Sequence, residues 1–100
     1  MAKYNGLFTC KEDIANEFGL TDDYINSIII IYCYYDMCGY EGDAFVVFME
    51  AGELFEVNGG HCSCYGLEGQ WRPTTTSFEY LLNGTVIPDD CKELIKFMIN

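Results

Sequence analysis

Two runs of β-branched and aromatic residues constrain the fold of this chain most strongly. Residues 28–35 read IIIIYCYY and residues 44–50 read AFVVFME. Residues of these types favour strands. Successive side chains of a strand point to opposite faces, so both faces of these two strands are apolar. A sheet that contains them must be covered on both sides.

A third, shorter strand is predicted at residues 54–57, after a tight hairpin at residues 50–53 (EAGE). Residues 36–43 (DMCGYEGD) are rich in glycine and acids and predict a turn-rich connection between the first two strands. Asn-Gly-Gly at residues 58–60 predicts the end of the third strand. Short connections favour an antiparallel meander of three strands over about residues 27–58.

One short helix is predicted before the meander, over residues 10–18. Thr9 and Glu12 have the spacing of a capping box, and apolar residues recur at helical spacing after them. Gly19 follows as a helix-ending residue. Residues 20–23 (LTDD) predict a turn or a second brief helical start.

Two further short helices are predicted after the meander. Thr76 and Glu79 repeat the capping-box spacing, and Asn83-Gly84 ends the first of these helices. Pro88 opens the last helix, with acids beside its positive end. Its apolar stripe is Cys91, Leu94, Ile95 and Met98. The 100 residues therefore predict a single α+β domain.

A glycine-, cysteine- and aromatic-rich segment follows the third strand. Residues 58–71, NGGHCSCYGLEGQW, contain the only His and the only Trp of the chain. Glycine at this density indicates positive φ angles or close backbone approach. Three short helices can cover one face of the sheet, so we predict that this segment folds back as a lid over the other face. Trp71 and Tyr65 are its expected anchors, because large aromatic side chains dominate burial.

The same segment resembles a known family. EVNG-HCSCYGLEGQW and the preceding YEGDAFVVF, which together cover about residues 40–72, are similar to a motif of an uncharacterised family of small bacteriophage and prophage proteins. That family has no established activity to transfer. The resemblance implies a small phage accessory protein, a class that commonly acts by binding host machinery.

Charge is unevenly distributed along the chain. Sixteen Asp and Glu oppose five Lys and Arg, for a net charge of −11, and no Lys or Arg lies between residues 12 and 71. Such a field repels nucleic acids and membranes and attracts basic protein surfaces. Two interpretations stay open. The acids serve solubility alone, or they mimic nucleic-acid phosphates towards a nucleic-acid-binding protein.

These features predict a non-enzymatic protein that binds, and inhibits, a host protein with a basic surface. A defence nuclease or another nucleic-acid-handling enzyme fits that description. No paired and oriented catalytic groups are recognisable, and no cofactor is expected. The expected protein-binding residues are acids and aromatic residues of the meander and the lid: Asp36, Tyr40, Glu41, Asp43, Glu53, Glu56, Tyr65, Glu68 and Trp71.

Cysteine and histidine offer a chemical alternative. Cys33 and Cys38 could join His61, Cys62 and Cys64 in a zinc site, although zinc knuckles prefer two intervening residues. Cys62 or Cys64 could also act as a nucleophile with His61 as its base. Neighbouring residues of a strand face opposite sides, which disfavours activation of Cys62 by His61. This alternative is a small metal- or thiol-dependent enzyme.

Two other readings complete the alternatives. Asp36, Glu41 and Asp43 could bind a cation, but their spacing is not that of a twelve-residue calcium loop. A sheet face left uncovered by the helices and the lid would instead make the protein a homodimer.

The location of the chain is predicted to be the cytoplasm of the host cell. The N-terminal residues MAKYNGLFTC lack an apolar signal region, and the run at residues 28–35 is too short to span a bilayer. In that compartment the six cysteines stay reduced. Cys10, Cys33 and Cys91 lie in apolar patterns and are expected to act as small core residues.

Overall fold

The computed structural model describes residues 2–39, 41–62 and 66–99. An α+β fold is confirmed, with four helices and five strands in the described part of the chain. In chain order the elements are β1 (Lys3–Gly6), α1 (Lys11–Phe18), α2 (Asp22–Ser27), β2 (Ile29–Cys38), β3 (Glu41–Glu50), β4 (Glu53–His61), β5 (Thr74–Thr75), α3 (Phe78–Asn83) and α4 (Asp89–Ile99).

The strands form one mixed sheet in the order β1-β2-β3-β4-β5. The predicted antiparallel meander is its centre, because β2 pairs with β3 and β3 with β4 in that orientation. The prediction of only three strands is wrong. β1 adds to β2 in parallel and β5 adds to β4 in antiparallel orientation. These edge strands contain four and two residues, too few for an alternating pattern to be recognised.

The predicted end of β2, start of β3 and end of β4 are also wrong. β2 continues to Cys38 and β3 begins at Glu41, so most of residues 36–43 is strand and not turn. Most of the described residues here are exposed, which accounts for their polar character. β4 likewise continues through residues 58–60 to His61.

Glycine in β4 permits close packing and does not break the strand. A Cβ atom at Gly59 would lie 3.0 Å from Leu67 Cδ2 and 3.3 Å from Phe18 Cε1. The hairpin between β3 and β4 is where predicted. Ala51 and Gly52 there have φ angles of 53° and 81°, which is the left-handed pair typical of a two-residue hairpin turn.

A β-bulge explains how β2 contributes buried residues to both faces of the sheet. Ile30 pairs with Phe48 and Tyr32 with Val47, which leaves Ile31 as the extra residue. Ile31 and Tyr32 therefore both pack on the second face of the sheet, whereas Ile30 and Cys33 pack on the first. The shift in alternation gives each face its own apolar cluster.

The two clusters are covered by different parts of the chain. On the first face lie residues of α1 and α2 together with Leu67, and on the second lie residues of α3 and α4. The lid prediction is thus corrected in one respect. The segment that contains Leu67 lies on the same face as the N-terminal helices, and the C-terminal helices cover the opposite one. The premise of the homodimer alternative, an uncovered sheet face, is not met at the centre of this sheet.

The N-terminal region has two helices where one was predicted, and of the two alternatives at residues 20–23 the second helical start is the one present. The capping residue of α1 also differs from the prediction. Two helices precede β2, and Thr21 caps the second by accepting a hydrogen bond from Tyr24 N–H. At α1 the N-cap is Cys10 and not Thr9. Thr9 instead donates from its backbone N–H and its hydroxyl to Asp13 Oδ2, at 2.8 and 2.6 Å. These bonds lower the pKa of the Asp13 carboxyl.

The C-terminal helices lie where predicted, with one cap displaced. Ser77, not Thr76, is the N-cap of α3 and accepts a hydrogen bond from Tyr80 N–H. None of the described helices is long and apolar enough to cross a membrane.

Candidate functional site

Three of the predicted acids lie together at one end of the sheet. Asp36 on β2 is directly opposite Asp43 on β3, and Cys38 is opposite Glu41. All three carboxylates are exposed. Like charges directly opposite each other on a sheet are destabilising. The pairing of Asp36 with Asp43 is therefore not an arrangement that the fold needs for its own stability.

The three acids border an open cleft of about 570 Å³. The rest of its wall consists of Met37, Cys38, Gly42, Gly60, His61 and Cys62. Glycine at position 42 avoids a steric clash, because a Cβ atom there would lie 2.5 Å from both Met37 Sδ and Asp36 O. The cleft is thus an acidic recess at the tip of the β2–β3 hairpin and the end of β4. We call Asp36, Glu41 and Asp43 the acidic tip.

A second cleft of about 450 Å³ shares Asp36 and Asp43 with the first. Its wall also contains Tyr34 and Asp90, which sequence reasoning did not assign to the site. Burial, and then the negative charges of Asp43 and Asp36, raise the pKa of the Tyr34 hydroxyl. Asp90 was interpreted only as a helix-end charge. Nothing in the sequence of residues 88–90 indicates that α4 begins next to this end of the sheet.

Asp90 is held in place by two partners at the edge of the second cleft. Tyr32 donates its hydroxyl proton to Asp90 Oδ1 at 2.8 Å, and Lys3 Nζ lies 3.5 Å from Asp90 Oδ2. Burial and this hydrogen bond raise the pKa of Tyr32. The Lys3–Asp90 contact is the one ion pair between a Lys or Arg and an acid in the described residues. The acidic tip therefore has no Lys or Arg partner within that part of the chain.

The other predicted acids do not join the acidic tip. Glu53 pairs with Glu50 at the opposite hairpin, and the ten residues of β3 separate the two ends by roughly 30 Å. Glu56 is 8% exposed and accepts a hydrogen bond from Asn58 Nδ2. Glu68 is exposed, and its side chain lies near Gly19 at the end of α1. The predicted site thus divides into a real cluster and three scattered acids.

Trp71 has the packing expected of a lid anchor. Its ring stacks on Phe48 with centroids 5.2 Å apart and contacts Phe18 edge-on at 5.1 Å. The indole N–H donates to Tyr24 Oη at 3.0 Å, and Tyr24 in turn donates to Glu50 Oε1 at 3.2 Å. Trp71 therefore packs into the apolar cluster of the first face, away from the acidic tip.

Tyr40 and Tyr65 lie outside the described residues, and so does Cys64. Tyr32 and Tyr34 are aromatic residues that the structure places beside Asp36 and Asp43 of the acidic tip.

The predicted metal ligands are divided between the core and the surface. Cys33 is fully buried under α1, and burial raises the pKa of its thiol to about 12. Cys38 is five residues further along β2, about 16 Å away, and exposed. His61 and Cys62 line the first cleft with Cys38. No three His, Cys, Asp or Glu side chains of residues 2–39, 41–62 and 66–99 are close enough to hold a metal ion.

The comparisons with known proteins give no relative. No protein-family model, curated protein or solved structure matches this chain. The resemblance of residues 40–72 to phage proteins therefore stays a prediction, and the function is argued from the residues and their geometry.

Proposed function

We propose that this protein is a non-catalytic binding protein whose acidic tip engages a basic surface of a partner protein. The observation that carries the proposal is the placement of Asp36, Glu41 and Asp43 around one open cleft. The sheet brings these like charges together although their pairing opposes folding. A cationic partner offsets that repulsion. Binding therefore recovers the free energy that the repulsion costs the folded protein.

The partner is a nucleic-acid-handling protein of the host. Such proteins present Lys- and Arg-rich grooves to phosphates, and clustered carboxylates offer the same sign of charge. The net charge of −11 attracts a basic partner over distances longer than the dimensions of the acidic tip. The resemblance to phage accessory proteins supports a host protein as the target and inhibition as the outcome.

The proposal predicts that neutralising the acidic tip weakens capture of the partner. The variant Asp36→Asn, Glu41→Gln, Asp43→Asn keeps the shapes of the side chains and removes three charges. We expect its affinity to fall by about tenfold or more, because each exposed charge pair contributes up to about 1 kcal/mol. The measurement is affinity capture from host lysate, followed by titration of the purified partner.

The matched control removes the same number of charges elsewhere. Glu12→Gln, Glu17→Gln, Glu93→Gln changes three exposed acids on α1 and α4. Its affinity should stay close to that of the unaltered chain. Capture must also weaken as salt rises, because exposed charges are screened, and duplex DNA should compete for the partner. Equal losses in both triple variants, or capture that is indifferent to salt, would mean that the acids serve solubility alone.

A further inference from the structure

The second cleft has tyrosine side chains in its wall beside the acids. Its volume is about 450 Å³, and its residues include Tyr32, Tyr34, Asp36, Asp43 and Asp90. Tyr34 and Asp36 lie on the same face of the sheet, because the side chains of a strand alternate, and Asp43 is directly opposite Asp36. Asp90 is the second residue of α4. The cleft is therefore framed by the second face of the sheet and the beginning of α4.

Donor groups around this cleft are used within the fold. Tyr32 donates its hydroxyl proton to Asp90 Oδ1 at 2.8 Å, and Asn5 Nδ2 donates to Cys33 O at 3.2 Å. Lys3 Nζ lies 3.5 Å from Asp90 Oδ2. Asp90 is therefore already engaged by a hydroxyl and by a lysine, and the other two acids of the cleft are the ones open to a ligand.

Asp36 and Asp43 are these open acceptors, and Tyr34 lies next to them. In the described part of the chain, neither carboxylate accepts a hydrogen bond or contacts a Lys or Arg. Tyr34 is half-buried and packs on Phe45, with ring centroids 5.9 Å apart. Burial and the two neighbouring carboxylates raise the pKa of its hydroxyl, so Tyr34 stays neutral at physiological pH. The cleft thus combines two available carboxylates with a fixed, neutral aromatic ring.

A guanidinium group fits this combination better than the other cations of proteins. It has five N–H donors in one plane and no acceptor, so two carboxylates can share it. It is weakly hydrated and packs against aromatic rings, whereas the ammonium group of lysine is compact and strongly hydrated. One lysine opposes three carboxylates at this cleft, so a negative charge remains that attracts a cation and repels an anion.

We propose that the second cleft receives the guanidinium group of an arginine side chain, with Asp36 and Asp43 as its carboxylate acceptors and Tyr34 as its aromatic wall. The inference rests on the proposed function for the source of that arginine, which is the basic surface of the partner. It adds a specificity that the carboxylates alone do not give, because the ring favours a guanidinium over an ammonium group. Partner surfaces rich in arginine are then preferred over surfaces rich in lysine.

The test uses the purified chain and small probes, so its outcome does not depend on the partner. Nα-acetyl-arginine amide and Nα-acetyl-lysine amide carry the same charge, and each is titrated into the chain and followed by NMR. We expect the arginine probe to shift the signals of the Tyr34 ring and of the amides of Asp36 and Asp43 saturably, at roughly millimolar concentration. The lysine probe should bind about threefold more weakly or less tightly still.

Variants with matched controls assign the binding to this cleft. Asp36→Asn, Asp43→Asn should weaken binding of the arginine probe by about fivefold or more, and Tyr34→Leu should weaken it by about threefold. Glu12→Gln, Glu17→Gln removes two exposed acids of α1 and should bind the probe as the unaltered chain does. Tyr34→Phe keeps the ring and should also bind as the unaltered chain does.

The inference is overturned if the arginine probe gives no saturable shift at this cleft, or if both probes bind equally well. Equal losses in the two double variants would overturn it as well. If Tyr34→Leu does not fold, the comparison of the two probes decides the role of the ring. A chain that binds the arginine probe here but captures no basic partner would support the arginine site and contradict the proposed function. Capture of a partner without binding of the arginine probe would overturn this inference alone.

Discussion

Replacing Trp71 by alanine is expected to lower the free energy of unfolding by about 3–5 kcal/mol. The indole stacks on Phe48, contacts Phe18 and donates a hydrogen bond to Tyr24, so the substitution leaves a cavity and an unused acceptor. Domains of this size are stable by about 5–15 kcal/mol, so the loss is a large fraction of the total. Urea unfolding followed by circular dichroism measures it.

Two companion variants separate the contributions of Trp71. Trp71→Phe keeps the stacking and loses the indole N–H, and should cost clearly less than Trp71→Ala. Tyr80→Ala removes an aromatic ring that is 61% exposed, and should change stability by less than about 1 kcal/mol. A near-neutral Trp71→Ala would contradict the packing described here and would return Trp71 to the list of candidate binding residues.

The sequence predicted the central meander because its signals are local and strong. Residues 28–35 and 44–50 are apolar on both faces, and only strand pairing with cover on both sides accommodates them. The strand ends were mispredicted because the polar residues between Asp36 and Asp43 were interpreted as a turn-rich connection. Most of the described residues among them are exposed although they lie in strands, and the local sequence pattern of an exposed hairpin end is indistinguishable from that of a loop.

Tertiary contacts explain what the sequence could not show. The extra residue Ile31 shifts the alternation of β2, and no local signal marks such a bulge. Gly59 suggested a break, but its role is to admit Leu67 and Phe18 close to the strand. The acidic tip was predictable because its members are near in sequence. The contribution of Asp90 was not, since the packing of α4 brings it from the other end of the chain.

The stability of the protein is expected to fall steeply as the pH rises above about 9. Cys33 and Cys91 are fully buried on opposite faces of the sheet, and burial is the main cause that raises the pKa of each thiol from 9.0 to about 12. The unfolded chain loses these protons first, so the stabilisation is complete below pH 9 and is lost towards pH 12. A difference of this size corresponds to about 4 kcal/mol for each thiol.

The position of each thiol allows a controlled measurement. Urea unfolding in reductant, at several values from pH 8 to about 11, gives the slope of the unfolding free energy against pH. Cys33→Ala, Cys91→Ala should flatten that slope, although tyrosines with a raised pKa, Tyr32 and Tyr34 among them, leave part of it. Cys38→Ala, Cys62→Ala removes two exposed thiols and should leave the slope unchanged. An unaltered chain whose stability is constant across this range would contradict the burial of both core thiols.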